Sequence, residues 1–181
     1  MSDFYADLPR EYDWCLPFIK QGEVLHQFHQ PTVTEDKDGV DLWVGDVGWQ
    51  IKERESYYGY DVCLERGHQY DEGRLEDGWA MKPSGASWLL YGWRDCYANS
   101  KDTVALIMPM DKLVTACIAN KDNPQWRKTL KRTNKPTIGA VESWYTWNFN
   151  IPVPWLRDAG VPIGHYSKPL GEQREIQTTG T

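Results

Sequence analysis

The fold is decided by the stretch Val40-Asp41-Leu42-Trp43-Val44-Gly45-Asp46-Val47-Gly48-Trp49-Gln50-Ile51-Lys52-Glu53. Two strand-like runs, 40–44 and 47–53, flank the dipeptide Gly45-Asp46, which is typical of a two-residue turn. The stretch therefore predicts a β-hairpin. Because side chains alternate along a strand, Gln50 and Lys52 share one face, and Asp41 can reach that face from the neighbouring strand.

Around this hairpin the sequence predicts a mixed succession of helices and strands. Pro17 to Pro31 is predicted to be a helix, Tyr60–Glu65 a strand, 67–85 a long loop with a helical turn at 82–85, and 87–93 and 103–108 two strands. Further along are predicted a helix from Pro109 or Met110 to about Ala119, a basic loop over 120–137, a strand over 144–151 and a short helix over 154–159. Helices at both ends of a run of strands favour a mixed α/β layer over a regular βαβ series.

Length and composition bound the class of protein. The chain has 181 residues, and we expect one domain over residues 1–164 with a polar, frayed tail over 165–181. No apolar run approaches the roughly 18 residues of a membrane helix. The N-terminus lacks the order of a signal peptide, so we expect a cytoplasmic protein without a membrane partner. Four cysteines without a C-x-x-C pair indicate neither a zinc knuckle nor a redox dithiol.

Charge is unevenly distributed along the chain, whose net charge is −6. Residues 1–47 hold ten acids and three bases, whereas residues 121–135 hold six bases and one acid. Such a basic run is often only a solvated face, but its functional interpretation is contact with DNA phosphates. The candidate DNA-binding residues there are Arg127, Lys128, Lys131, Arg132 and Lys135. Trp126 either stacks on a base or closes the core.

The hairpin carries the residues with the clearest chemistry. Mg²⁺ prefers oxygen ligands and retains several waters, which the Asp41 carboxylate, the Gln50 amide oxygen and the Ile51 carbonyl can satisfy. Lys52 beside such a cation can orient or deprotonate a water, or stabilise charge on a phosphate oxygen. Glu23 would join from the N-terminal helix. The plain alternative is a cross-strand ion pair between Asp41 and Lys52, with Glu23 solvated.

The order Gly22-Glu23 on a helix, then Asp41, then Gln50-x-Lys52 on consecutive strands resembles the PD-(D/E)XK nuclease superfamily. The resemblance is greatest to small phage-encoded endonuclease-like members and covers roughly residues 17–160. Elements like Lys82-Pro83-Ser84-Gly85 and the segment 105–113 follow the signature there. Lys82 is accordingly added to the candidate DNA-binding residues.

The resemblance implies a three-layer α/β/α restriction-endonuclease-like core with a mixed central sheet. It also implies endonucleolytic hydrolysis of DNA phosphodiester bonds with Mg²⁺, for which Mn²⁺ can substitute. Asp41 would be the principal metal ligand, Gln50 would stand where the family has Asp or Glu, Lys52 would be the catalytic lysine and Glu23 the helix-borne acid. Many relatives act as homodimers, and a phage-encoded member would work in the host cytoplasm.

Gln50 departs from the family pattern. A neutral amide binds a dication less tightly than a carboxylate does, although Glu65 on the next strand can compensate. The alternative function is therefore a catalytically weak or inactive nuclease-fold protein that binds DNA or inhibits a host protein. The acidic N-terminal third favours inhibition, because a surface of carboxylates can imitate a phosphate backbone.

Overall fold

The computed structural model of the chain describes residues 28–29, 31–32, 34–35, 38–54, 60–70, 73–93, 103–132 and 144–167. These residues contain ten strands, two α-helices and one 3-10 turn. The strands are β1 (Phe28–His29), β2 (Leu42–Val44), β3 (Val47–Arg54), β4 (Asp61–Tyr70), β5 (Leu75–Asp77), β6 (Trp88–Trp93), β7 (Thr103–Pro109), β8 (Arg127–Arg132), β9 (Trp144–Pro152) and β10 (Gly164–Ser167). The helices are α1 (Met110–Ala119) and α2 (Val153–Asp158), and the 3-10 turn is Trp79–Met81. The predicted mixed α/β class is confirmed.

The described residues divide into two compact units. The first unit comes from Met1–Tyr57, Ala86–Met108 and Ile163–Thr181, and the second from Tyr58–Gly85 and Pro109–Pro162. The first unit contains a six-stranded sheet of order β1-β2-β3-β6-β7-β10, and the second a four-stranded sheet of order β5-β4-β9-β8. Each unit thus has a sheet of its own.

The sheet of the first unit is mixed. Strands β1 and β2, β2 and β3, and β7 and β10 pair antiparallel, whereas β3 and β6 pair in parallel. Strand β6 is buried along 89–93, as expected for a strand covered on both faces. The parallel pair therefore forms the middle of the unit, and the hairpin that carries Asp41 and Lys52 is attached directly to it.

The predicted hairpin is confirmed. Val44 pairs with Val47, so Gly45 and Asp46 form the two-residue turn between β2 and β3. Gly45 has a φ of 60°. A side chain disfavours that left-handed conformation, so glycine suits this turn position.

The second unit combines its antiparallel sheet with both helices. Strands β4 and β9 place Val62, Leu64, Phe149 and Ile151 in the core with no exposed surface, which confirms the alternation predicted for the first of these strands. The predicted helix ending at Ala119 is confirmed as α1, whose residues 110, 113, 114 and 117 are buried at helical spacing. Within the described part of the chain, no helix is long and apolar enough to cross a lipid bilayer.

The prediction of a long loop over 67–85 is wrong. Strand β4 continues to Tyr70 and pairs with β5, and the 3-10 turn follows. A β-bulge shifts the register between Glu65 and Gly67, which breaks the alternation that would reveal a continuous strand. Gly78 is required where two backbone segments meet, because a Cβ there would lie 2.5 Å from the Glu65 carbonyl oxygen.

Three other predicted boundaries are wrong. The basic loop over 120–137 contains the strand β8, which pairs with β9 at the edge of its sheet, where cationic residues are common. The predicted frayed tail from His165 begins too early, because Gly164–Ser167 pairs with β7. The predicted helix from Pro17 cannot reach Pro31, since Phe28–His29 is a strand. Its earlier part lies outside the described residues.

Candidate functional site

Asp41 directly precedes β2, and Gln50 lies within β3. Leu42 pairs with Trp49, and the Asp41 N–H donates to the Trp49 carbonyl at 2.8 Å, so the backbone of Asp41 is held against β3. Lys52 follows Gln50 by two residues on β3 and therefore leaves the strand on the same face. The Lys52 side chain reaches the Asp41 carboxylate, which precedes the neighbouring strand.

The Asp41 carboxylate is held by two donors of β3. Its Oδ2 accepts a hydrogen bond from the Ile51 N–H at 2.6 Å and lies 3.6 Å from the Lys52 Nζ. The Asp41 side chain is 14% exposed and that of Lys52 is 33% exposed. The carboxylate is thereby fixed in place, while the ammonium group remains within reach of solvent.

Gln50 contributes a buried acceptor. The residue is only 3% exposed, and its Oε1 finds no hydrogen-bond partner among the described residues. Leaving a buried acceptor unsatisfied costs about 1–3 kcal/mol, so such an atom in a native chain is typical of a site that a ligand, ion or water completes. The Gln50 Oε1 is therefore an atom of the hairpin that indicates a missing partner.

These donors fit a hard cation in type but carry little charge. The Asp41 carboxylate, the Gln50 Oε1 and the Ile51 carbonyl are oxygen atoms, as Mg²⁺ and Mn²⁺ require. No group of three His, Cys, Asp or Glu side chains arranged to hold a metal occurs among the described residues. This donor set thus offers a single carboxylate, that of Asp41, and a bound dication would keep several waters.

The two other predicted acids are not residues of this hairpin. Glu23 lies outside the described residues. Glu65 belongs to β4 of the second unit, where its Oε1 lies 3.2 Å from the His68 Nε2. The suggested compensation by Glu65 remains a prediction.

The predicted DNA-binding residues lie mainly on one edge strand of the second unit. The backbone of Arg127, Lys128, Lys131 and Arg132 forms β8, paired along its length with β9. Lys82 is exposed directly after the 3-10 turn, and Lys135 lies outside the described residues.

The choice left open for Trp126 is settled in favour of the core. Trp126 is 3% exposed and packs edge-on against Phe149, with ring centroids 5.6 Å apart. Its ring has no free face for a base. Cys117 is also no candidate nucleophile, because burial raises the pKa of its thiol to about 12.

The second unit also contains a cavity that was not predicted from the sequence, lined by Arg66, His68, Lys121 and Trp147, among others. Three of these residues lie on β4 and β9, and the β4 residues fall beside or within the segment predicted to be a loop. The signal that could have found them is the continuation of a strand through Arg66-Gly67-His68-Gln69-Tyr70, which the bulge obscures.

No family model matches the sequence, and neither a curated protein nor a solved structure matches it.

Proposed function

We propose that the chain is a Mg²⁺-dependent endonuclease that hydrolyses phosphodiester bonds in DNA. The observation that supports this most is the arrangement of the hairpin: a fixed Asp41 carboxylate, the Lys52 ammonium group 3.6 Å away and the buried Gln50 oxygen without a partner. A carboxylate, a neutral oxygen and a cation on one strand pair are the groups needed to hold a metal beside a phosphate. Mn²⁺ would substitute for Mg²⁺.

Each residue of the hairpin has a distinct role in this proposal. Asp41 and Gln50 would hold the metal together with the Ile51 carbonyl. A bound dication lowers the pKa of a coordinated water and neutralises charge on phosphate oxygens. Lys52 donates hydrogen bonds to the attacking water or to a phosphate oxygen, and so orients the nucleophile and stabilises developing negative charge. Glu23 would be the helix-borne acid.

The proposal extends to the fold and to the partners. A three-layer α/β/α restriction-endonuclease-like core is supported by the mixed sheet, in which the β2–β3 hairpin adjoins the parallel pair β3–β6. DNA would be held by the cations of β8 together with Lys82 and Lys135. A homodimer would cut both strands, and the host cytoplasm would be the place of action.

Nicking of supercoiled plasmid tests the proposal. The protein is stripped with EDTA, and Mg²⁺ or Mn²⁺ is then titrated in. We expect metal-dependent nicking by the wild type and a loss of about 10²–10⁴-fold for Lys52→Gln, the usual contribution of a proton-handling or orienting group. Asp41→Asn should abolish the metal response.

Matched controls lie close by. Asp46→Asn removes an exposed carboxylate from the turn of the same hairpin, and Lys112→Gln removes an exposed lysine from α1. Both controls should nick plasmid like the wild type. Nicking at the wild-type rate by Asp41→Asn or Lys52→Gln would overturn the proposed site.

A second candidate function is a nuclease-fold protein that binds DNA or inhibits a host protein without turnover. It is favoured by the neutral amide of Gln50 and by the donor set of Asp41, Gln50 and Ile51, which holds only one carboxylate. Its expected signature is binding of duplex DNA in EDTA, or tight binding to one purified host protein, without nicking at any Mg²⁺ or Mn²⁺ concentration. Metal-dependent nicking by the wild type would exclude it.

A further inference from the structure

The second unit contains a cavity of about 510 Å³. None of the residues that line this cavity belongs to the hairpin. Its walls come from β4, β5, β9, the 3-10 turn and the end of α1. The volume falls within the usual range for small-molecule sites, about 300–1,000 Å³. Three kinds of side chain meet there: an indole ring, two cations and exposed acceptors.

Trp147 supplies an aromatic wall with a fixed orientation. Its Nε1 donates a hydrogen bond to the Gln69 Oε1 at 3.2 Å, across the β4–β9 pair. The residue is only partly buried, unlike Trp126, which directly precedes β8. A tethered, partly exposed indole in a cavity is suited to stacking against a planar ring.

Arg66 and Lys121 supply positive charge on the same cavity. The Arg66 guanidinium lies 5.8 Å from the centre of the Phe149 ring and 3.9 Å from the Asp122 Oδ1. Asp122 is 76% exposed, so this weak ion pair leaves guanidinium donors available. Lys121 is exposed in the turn after α1. Arginine and lysine together are typical of phosphate recognition.

Acceptors complete the lining. Asp77 is exposed on β5 and pairs in register with Gly67, close to the bulge. A carboxylate at this position can accept hydrogen bonds from base N–H groups or sugar hydroxyls. Ring, phosphate and hydroxyl groups occur together in a nucleotide, and the cavity offers a complementary group for each.

We propose that this cavity binds a nucleoside phosphate, with the base against Trp147 and the phosphate at Arg66 and Lys121. The ligand is either a free nucleotide or one unit of a single-stranded nucleic acid. The neighbouring strand supports the second source, because the register sets Leu130 of the cationic strand β8 opposite Trp147. The proposal rests on residues of the second unit alone and does not depend on cleavage at the hairpin.

Binding to the full-length protein in EDTA tests this inference without any cleavage. A fluorescein-labelled thymidine octanucleotide is titrated by anisotropy, and adenosine 5′-monophosphate is titrated by calorimetry. We expect Trp147→Leu to weaken binding by about 5-fold to 150-fold, the usual effect of removing one stacked ring. Trp147→Phe keeps a ring and should stay within about threefold of the wild type.

Lys121→Ala keeps the proposal testable even where a tryptophan variant fails to fold, since its side chain is exposed. It should weaken binding about threefold to tenfold, as expected for one phosphate contact. Lys112→Ala, on the exposed surface of α1, is the matched control and should bind like the wild type.

Comparing the two ligands shows whether the bound nucleoside phosphate is a free nucleotide or one unit of a nucleic acid strand. Binding of both identifies a nucleotide site that accepts free ligand, and binding of the octanucleotide alone identifies a unit of a nucleic acid strand. Absence of binding to either ligand by the wild type would overturn the proposal. Wild-type affinity in Lys121→Ala and folded Trp147→Leu would also overturn it.

Discussion

Replacing Asp41 with alanine should lower the free energy of unfolding by about 2–4 kcal/mol. The hydrogen bond from the Ile51 N–H ends on a charged acceptor at 2.6 Å, and such bonds contribute about 1.5–3 kcal/mol. The ion pair with Lys52 adds at most about 1 kcal/mol, because the lysine side chain is one third exposed and water screens the pair. Alanine removes both contributions and leaves the Ile51 N–H without its acceptor.

The variant Asp41→Asn separates the contribution of Asp41 to stability from its contribution to catalysis. Its amide oxygen can still accept from the Ile51 N–H, so we expect Asp41→Asn to lose only about 1–2 kcal/mol, mainly the charge-dependent part. Urea unfolding followed by circular dichroism measures both variants against the wild type. Plasmid nicking is then measured at a temperature where each variant is folded.

The two measurements have different consequences. An unfolding free energy for Asp41→Ala within about 0.5 kcal/mol of the wild type would refute the structural role assigned to the carboxylate. A folded Asp41→Asn that still nicks plasmid in a metal-dependent manner would refute the catalytic role. If Asp41 is only structural, the folded Asp41→Asn variant should still nick plasmid in a metal-dependent manner. If Asp41 is a metal ligand, that variant should not.

Four further predictions concern other positions. Gln50→Glu should bind Mn²⁺ at least tenfold more tightly by calorimetry, because a carboxylate attracts a dication more strongly than an amide; an unchanged affinity would contradict the metal site. Gly78→Ala should lower the urea midpoint by an amount equivalent to about 1–3 kcal/mol, since its Cβ would meet the Glu65 carbonyl oxygen at 2.5 Å, and an unchanged midpoint would refute this. At pH 8, a thiol reagent should label the partly exposed Cys63 and spare Cys117 until unfolding, as checked by mass spectrometry. Burial raises the pKa of Cys117 to about 12 in the folded protein, whereas its pKa in the unfolded chain is about 8.5. The stability that this thiol contributes should therefore be complete below the unfolded pKa and be lost as the pH rises towards 12. An equal loss of stability at alkaline pH in Cys117→Ala would contradict this.

Local pattern was enough to predict the hairpin and α1. The turn Gly45-Asp46 and the flanking alternation specify β2 and β3 without any distant contact. The helix α1 could likewise be predicted locally, because its apolar residues recur at helical spacing. The proximity of Asp41 to Lys52 was predicted from strand alternation, and the 3.6 Å ion pair confirms it.

Tertiary effects determined what the sequence could not reveal. Nothing in the order of residues marks Gln50 as buried, because its burial results from the packing of the sheet around β3. The strand character of Arg66 to Tyr70 was hidden by the bulge and by Gly67, which the sequence presents as a loop signal. Strand β8 was missed because its cations resemble a solvated loop, although its backbone is held by β9.

The alternation of the chain between the two units has a consequence for biosynthesis. Strand β3 of the first sheet is synthesised early, but β6 of the same sheet follows only after β4 and β5 of the other unit. Strand β10 of the first sheet is synthesised last. A nascent chain therefore cannot finish the first sheet until residue 167 has left the ribosome, and no single cut yields two fragments that each hold a whole sheet. Contacts so distant along the sequence slow folding, so newly made molecules would expose unpaired strand edges for longer than a chain of consecutive domains would.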